Sequence, residues 1–354
     1  MFTHKHWQPS RLFAMVLALV AGLAIVLGAM FSAAQAAGLF KFTQYKVPTA
    51  NSEPRYITPG ADGNLWFTEG ADFFTPNDDP DTGGTFHNQI GRITPAGEIT
   101  EYRVDSCQCL LNDIVQGPND ILYFTTNKQG LGRITTEGVV LSSVTPGNFT
   151  ANGNGIARHG NDVWYADFNN DSLWRYNVTN DQFTPFEVPN NPTDVAVDAD
   201  GIVWYTANQP NAIGNLDPAD GSIIETPVPA TPSRLAIATD GKVWYTERIA
   251  DHIGRLDPSN SQVTRFPTLT PNAGPQDITA APDGSLWFTQ ANVGNAAQIT
   301  LDADGNATIT EEGKTSKDPA GTLENALGIT IGPDGQSVWF AKPADNTIAA
   351  LRPR

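Results

Sequence analysis

One short segment recurs seven times, and this repetition limits the possible folds more than any other property of the chain. It reads DGNLWFTE (62–69), NDILYFTT (119–126), GNDVWYAD (160–167), DGIVWYTA (200–207), DGKVWYTE (240–247), DGSLWFTQ (283–290) and DGQSVWFAK (334–342). Its central aromatic falls at Trp66, Tyr123, Trp164, Trp204, Trp244, Trp287 and Trp339, at intervals of 57, 41, 40, 40, 43 and 52 residues. A Pro- or Gly-led apolar segment precedes most copies, as in PRYIT (54–58), PTDVA (192–196) and PQDIT (275–279), and a motif such as IGRI (90–93) or IGRL (253–256) follows. Each unit therefore predicts four short strands, A to D. Asp-Gly between A and B predicts a hairpin turn, because Gly tolerates positive φ and Asp can bond its own backbone. A lone four-stranded unit cannot bury both faces of its sheet, and seven in a row can bury them against one another. The expected fold class is all-β, a seven-bladed β-propeller of four-stranded blades.

Closure is also legible. The last unit supplies A, B and C and ends at Leu351-Arg352-Pro353-Arg354 without a D strand. The segment FKFTQYKVP (40–48) has the D pattern and precedes the first A strand, so it is expected to complete the seventh blade. We read one domain over residues 38–354. Ahead of it, Lys5 and Arg11 precede the uncharged run Leu12 to Phe31 and the small-residue pattern Ala34-Gln35-Ala36. This is the form of a cleaved signal peptide over residues 1–36, which predicts a secreted or periplasmic protein with no membrane association after its removal.

The charge narrows the partners. With 21 Lys+Arg against 38 Asp+Glu, the net charge is −17, which argues against a phosphate-binding surface and so against nucleic acid. No nucleotide cofactor is expected, and the chain is read as a monomer. Removal of the leader leaves three histidines, His87, His159 and His252, so imidazole is scarce. Cys107 and Cys109, with Gln108 between them, allow a short disulfide that would brace one loop.

In a propeller, binding groups gather where inner strands begin and end around the central channel. The residues after the first position of the A strands include Arg55, Asn112, Asn154 and Gln276, and the B strands close on Glu69, Asp167, Glu247 and Lys342. These eight vary inside an otherwise regular scaffold and are the candidate ligand-binding residues. Glu69, Asn112, Asn154 and Asp167 form a hard-oxygen set suited to Ca²⁺ or Mg²⁺, whereas the scarcity of His and Cys disfavours zinc. Two insertions, 70–89 and 311–325, fall on the same face. The first carries the acidic stretch Asn77 to Asp81, part of a calcium-loop pattern.

DGNLWFTE, IGRITPAGEITEY (90–102) and VWYTERIADHIGRL (243–256) resemble the virginiamycin B lyase, or streptogramin lyase, family. The resemblance spans the whole chain after the leader. It implies elimination chemistry that opens the lactone of a cyclic depsipeptide, with a histidine base and a magnesium ion held by acidic residues. The family's P-H-A-I-T histidine falls on Gln276, and its E-P-H-G-I motif falls on Asn325 to Ile329, which puts Leu327 at the catalytic histidine. Glu324 lies one residue away from the motif's metal-binding acid. The glutamate after W-F-A-M falls on Pro343, next to Lys342. The resemblance thus describes a divergent member lacking the family's catalytic histidine. Two expectations follow: an exported protein that binds a small molecule, glycan or peptide at the channel mouth, or an enzyme with a relocated site, either a C–O lyase or a metal-dependent lactonase.

Overall fold

The computed structural model describes residues 39–70, 88–104, 109–128, 130–146, 153–312 and 326–354. The leader, the Asn77 to Asp81 stretch, His87, Cys107 and Glu324 lie outside them. The strands form seven separate four-stranded antiparallel sheets, and six of them run in simple chain order. The first blade is Pro54–Pro59, Leu65–Glu69, Gln89–Ile93 and Ile99–Arg103, innermost strand first. The expected turns are present: Gly63 and Gly241 both sit at φ 77° between A and B strands. The seventh blade takes Ile329–Ile331, Val338–Lys342 and Thr347–Pro353 from the C-terminal end and Phe40–Lys46 from the N-terminal end. This last pair is in unbroken antiparallel register from Phe40 opposite Pro353 to Lys46 opposite Thr347. The ring closes as the repeat predicts. Among the described residues no helix is long and apolar enough to cross a membrane.

Burial explains why every unit needs its aromatic B strand. The buried side chains fall into seven clusters, and each draws on two adjacent blades. Trp66 packs with Leu122 and Phe124 of blade 2, Trp339 with Ile57 and Phe67 of blade 1, and Trp244 with Leu286 and Phe288 of blade 6. Among the described residues there is no shared central core. Each junction is its own core, and burial of one Trp or Phe there contributes about 1.5–3 kcal/mol. Of the three arginines in the G-R-I motifs, Arg255 ties neighbouring blades together. Arg255 lies over the Trp244 ring at 5.3 Å and donates to the Gly305 carbonyl of blade 6 at 2.7 Å. Arg92 stacks on Trp66 and Tyr102, and Arg133 donates to the Ser142 carbonyl, both inside their own blades. Cys109 is buried and disulfide-bonded, and the chain has one other cysteine, Cys107.

Removing the strand Phe40–Lys46 exposes the edge of Thr347–Pro353 and takes away Phe40, Phe42 and Tyr45, which pack against the blade 6 and blade 7 aromatics Trp287, Phe340 and Trp339. Loss of three half-buried aromatics amounts to roughly 3–5 kcal/mol, so a chain starting after Lys46 is expected to melt about 10 °C lower by circular dichroism. An unchanged transition would show that the seventh blade does not need its N-terminal strand.

Candidate functional site

The seven inner strands touch their neighbours in a closed circle, and a repeated irregularity decides what they present to the channel. In five blades the ladder between A and B slips near the start of A, for example between Pro54 and Ile57 and between Pro275 and Ile278. Such a bulge takes one or two residues out of the ladder and leaves their backbone groups in need of partners. The B-strand threonine answers that need. The N–H of Tyr56 donates to Thr68 Oγ1 (3.2 Å), and the Thr68 hydroxyl donates to the Asn112 carbonyl of the next blade (2.7 Å). The same relay runs from Asp113 through Thr125 to Asn154, from Arg234 through Thr246 to Gln276, and from Asp277 through Thr289 to Leu327. Blades 3 and 7 have Ala166 and Ala341 instead of threonine, and both have glycine at the inner edge: Gly155 within its strand and Gly328 just before Ile329–Ile331. The Gly328 N–H donates directly to the Arg55 carbonyl at 2.8 Å, and a Cβ there would lie 2.5 Å from Tyr56 Cα. At Gly155 a Cβ would strike the Asp194 carboxylate.

This geometry gives two stacked rings. The outer one, at the channel mouth, consists of Arg55, Asn112, Asn154, Thr193, Ser233, Gln276 and Leu327. Its side chains are mostly half-buried and polar. The Asn112 amide donates to the Gly153 carbonyl (2.7 Å), Thr193 shares a hydrogen bond with Thr206 (2.7 Å), and the buried Gln276 Oε1 meets no donor. One residue further along lies the ring that plugs the channel: Tyr56, Asp113, Gly155, Asp194, Arg234, Asp277 and Gly328. Arg234 Nη1 bridges Asp113 (3.1 Å) and Asp194 (3.0 Å), and its guanidinium lies 4.3 Å from the Tyr56 ring centroid. One blade 5 side chain thus reaches blades 1, 2 and 4, which is possible only across the axis. Asp194 also accepts from the Leu235 N–H (2.8 Å) and Asp277 from the Ile329 N–H (2.9 Å), so each secures the following blade.

Three carboxylates, Asp194 buried and Asp113 and Asp277 half-buried, surround one arginine. Burial raises the carboxyl of Asp277 to about 7 and that of Asp113 to about 6, against the lowering effect of Arg234, while Asp113 and Asp194 push Asp277 up further and Asp194 pushes Asp113 up. Asp194 is also raised by burial, again opposed by Arg234. None of the four charged residues was among the candidates read from the sequence. The signal was there, in the acid before Ile or Val at 113, 194 and 277 and in the single arginine at 234 inside an apolar strand.

The candidates divide by place. Arg55, Asn112, Asn154 and Gln276 stand at the mouth. Glu69, Asp167, Glu247 and Lys342 are at most 2% exposed, and the last three meet other parts of their own blades. Both Asp167 oxygens accept from Asn170 Nδ2 (3.1 Å), Glu247 accepts from Arg265 Nε (2.8 Å) on an outer strand, and Lys342 pairs with Asp345 (2.8 Å). The hard-oxygen set is accordingly split, with Asn112 and Asn154 at the mouth and Glu69 and Asp167 buried beside it. Among the described residues no three His, Cys, Asp or Glu converge as metal ligands. The magnesium site implied by the family does not fit the residues present: Pro343 offers no donor side chain, and the ammonium of buried Lys342 stands next to it. Of the described histidines, His159 lies exposed at an A–B turn and His252 Nδ1 meets the Ala250 carbonyl at 2.6 Å, both away from the mouth ring.

The channel cluster makes stability depend on pH. Asp113 and Asp277 titrate near 6 and 7 when folded and near 4 when unfolded, so the folded state holds protons that the unfolded state has released. Their contribution is complete below about pH 4 and is lost as pH rises through 6 to 7. The melting temperature is expected to fall by a few degrees between pH 5.5 and pH 8, with Asp277→Asn flattening that slope; equal slopes in scanning calorimetry would exclude Asp277 as the titrating group.

The virginiamycin B lyase family model matches residues 36–190, 79–307 and 152–349 in overlapping segments. A streptogramin B lyase structure is similar over 89% of this chain and 98% of its own, at 25% identity and a TM-score of 0.76. A catalytically inactive histidine-to-alanine variant of virginiamycin B lyase from Staphylococcus aureus, solved with quinupristin, is similar over 88% and 99%, at 26% identity and a TM-score of 0.73. An extracellular domain from B. thetaiotaomicron shares the fold alone, at 14% identity and a TM-score of 0.65, over 88% of this chain and 40% of that one. Among curated proteins none matches the chain in sequence.

Proposed function

Because this chain belongs to the virginiamycin B lyase family, we propose that its channel mouth holds a small peptide-like molecule without opening a lactone. One observation carries this reading: Gln276, Leu327 and Pro343 occupy the positions where the family resemblance puts the histidines and a metal-binding acid. Leucine cannot accept a proton, and an amide is too weak a base to replace imidazole. What remains at the mouth is suited to recognition. Asn112, Asn154, Thr193, Ser233 and Gln276 present amides and hydroxyls, which can both donate and accept, and the buried Gln276 Oε1 has an acceptor site to spare. Such a set complements the alternating N–H and C=O groups of a peptide or depsipeptide ring. Leu327 adds an apolar contact and Arg55 the single positive charge. The relative solved with quinupristin holds a ligand of that class. The leader over residues 1–36 supports export, which would place the mouth where extracellular peptides are met.

The test uses quinupristin as the probe. Calorimetric titration is expected to give saturable binding, weakened about threefold to tenfold by Gln276→Ala, while chromatography shows the lactone intact after prolonged incubation. Rapid linearisation would establish a relocated catalytic site, and absence of binding would remove the peptide-ring reading of the mouth.

A further inference from the structure

The B strands of blades 1, 5, 6 and 7 all end in a buried charged or amide side chain, and blade 1 differs from the other three in what that group meets. In blade 5 the B strand Val243–Glu247 ends in a fully buried glutamate, and the outer strand Gln262–Pro267 puts Arg265 opposite Gly254. Arg265 Nε and Nη2 both bond Glu247 Oε2, so the buried charge is neutralised inside the blade. In blade 6 the equivalent pair is Gln290 and Glu311, an amide donating to a carboxylate at 3.3 Å. In blade 7 the end of the B strand is Lys342, paired with Asp345. In blade 1 the same two positions are Glu69 and Glu101, with Glu101 opposite Gly91. Two acids stand where blade 5 has an acid and a base.

Glu69 is fully buried, and neither of its oxygens meets a donor in hydrogen-bonding geometry. Ser52 lies beside it but directs its hydroxyl to Asn346 Oδ1 at 3.0 Å. Glu101 is half-buried and held in place by Thr49, whose N–H donates to Oε1 and whose hydroxyl donates to Oε2, both at 3.0 Å. Gln89, buried opposite Glu69 in the ladder, lies 3.4 Å from the Thr49 hydroxyl. Burial and repulsion from Glu101 both hold the Glu69 carboxyl well above the usual carboxylate range. An unpaired buried carboxylate costs several kcal/mol, and among the described residues no side-chain cation offsets it.

We propose that Glu69 and Glu101, with Gln89 and Thr49 beside them, form a binding site for a hard divalent cation, Ca²⁺ in the first instance, between blades 7 and 1. The cation takes the electrostatic place that the Arg265 guanidinium holds in blade 5. All the available donors are oxygens, and two carboxylates balance one divalent charge, which favours Ca²⁺ or Mg²⁺ over zinc. Half-buried Glu101 and Thr49 give the ion a way in from solvent. The site keeps Glu69 from the earlier hard-oxygen set and replaces its other three members. It does not depend on what the channel mouth binds.

The experiment is titration of the chelator-treated full chain with CaCl₂ and MgCl₂, by calorimetry and thermal melting. Saturable Ca²⁺ binding is expected, with a melting temperature raised by roughly 5 °C at a hundredfold excess over Kd. Glu69→Gln should abolish the binding. Glu101→Arg, which copies the blade 5 pair, should melt at the same temperature with or without Ca²⁺ and so separates loss of the site from loss of the fold. Absence of saturable binding in the wild type overturns the proposal, as does a Ca²⁺ response that survives in either variant. If the wild type instead gains stability only on acidification, and Glu69→Gln removes that gain, the two acids share a proton and the cation site does not exist.

Discussion

The ring depends on how each bulged inner strand satisfies its backbone. A bulge leaves an N–H outside the ladder, and a buried donor without a partner costs about 1–3 kcal/mol. Thr68, Thr125 and Thr289 accept that N–H in their own blade and donate to a carbonyl in the next, and Thr246 makes the same relay in blade 5, whose ladder has no such shift. A local need thereby becomes an inter-blade link. Where alanine replaces threonine, glycine lets the neighbouring strands approach closely enough to do without the hydroxyl, as at Gly328 and Arg55. The fourth position of the L-W-F-T motif and the third position of the A strand are therefore coupled: a hydroxyl with a side chain, or a methyl with none.

The channel shows a second coupling, electrostatic rather than steric. Asp113, Asp194 and Asp277 come from alternate blades 2, 4 and 6, and Arg234 comes from blade 5 between two of them. The acids each have a backbone task, accepting N–H groups of their own or the following strand, and Arg234 makes their convergence tolerable. With one base for three acids the charge is not balanced, which is why burial outweighs Arg234 and raises all three carboxyls. The plug closes the axis and gives the mouth above it a floor.

The repeat made the architecture legible because each junction core needs the same aromatic B strand, and the missing D strand of the last unit announced the closure. The channel ring was harder to see. Arg234 and Asp113 are 121 positions apart, and in a single unit either one reads as ordinary variation at a solvated position. The bulge adds a further difficulty. It breaks the two-residue alternation at the start of A, so which of Asn112 or Asp113 faces the axis cannot be counted off from the strand pattern. The buried ends of the B strands were obscured for a related reason. Charged residues such as Glu69 and Glu247 suggest exposure, and only the outer-strand partners reveal that they belong to the interior of the blade.

These couplings explain how a scaffold of this family can change the side chains at its mouth and keep its shape. The relay threonine bonds the carbonyl of the mouth residue in the next blade and makes no demand on that residue's side chain. Thr246 holds the carbonyl of Gln276, and Thr289 that of Leu327, at the two places where the family resemblance puts histidines. An imidazole, an amide or an isobutyl group leaves the same backbone oxygen for the hydroxyl to reach. The fold therefore fixes the mouth ring through its main chain and leaves the side chains to change with function. The channel ring one residue deeper has no such freedom, because its side chains carry the contacts between blades.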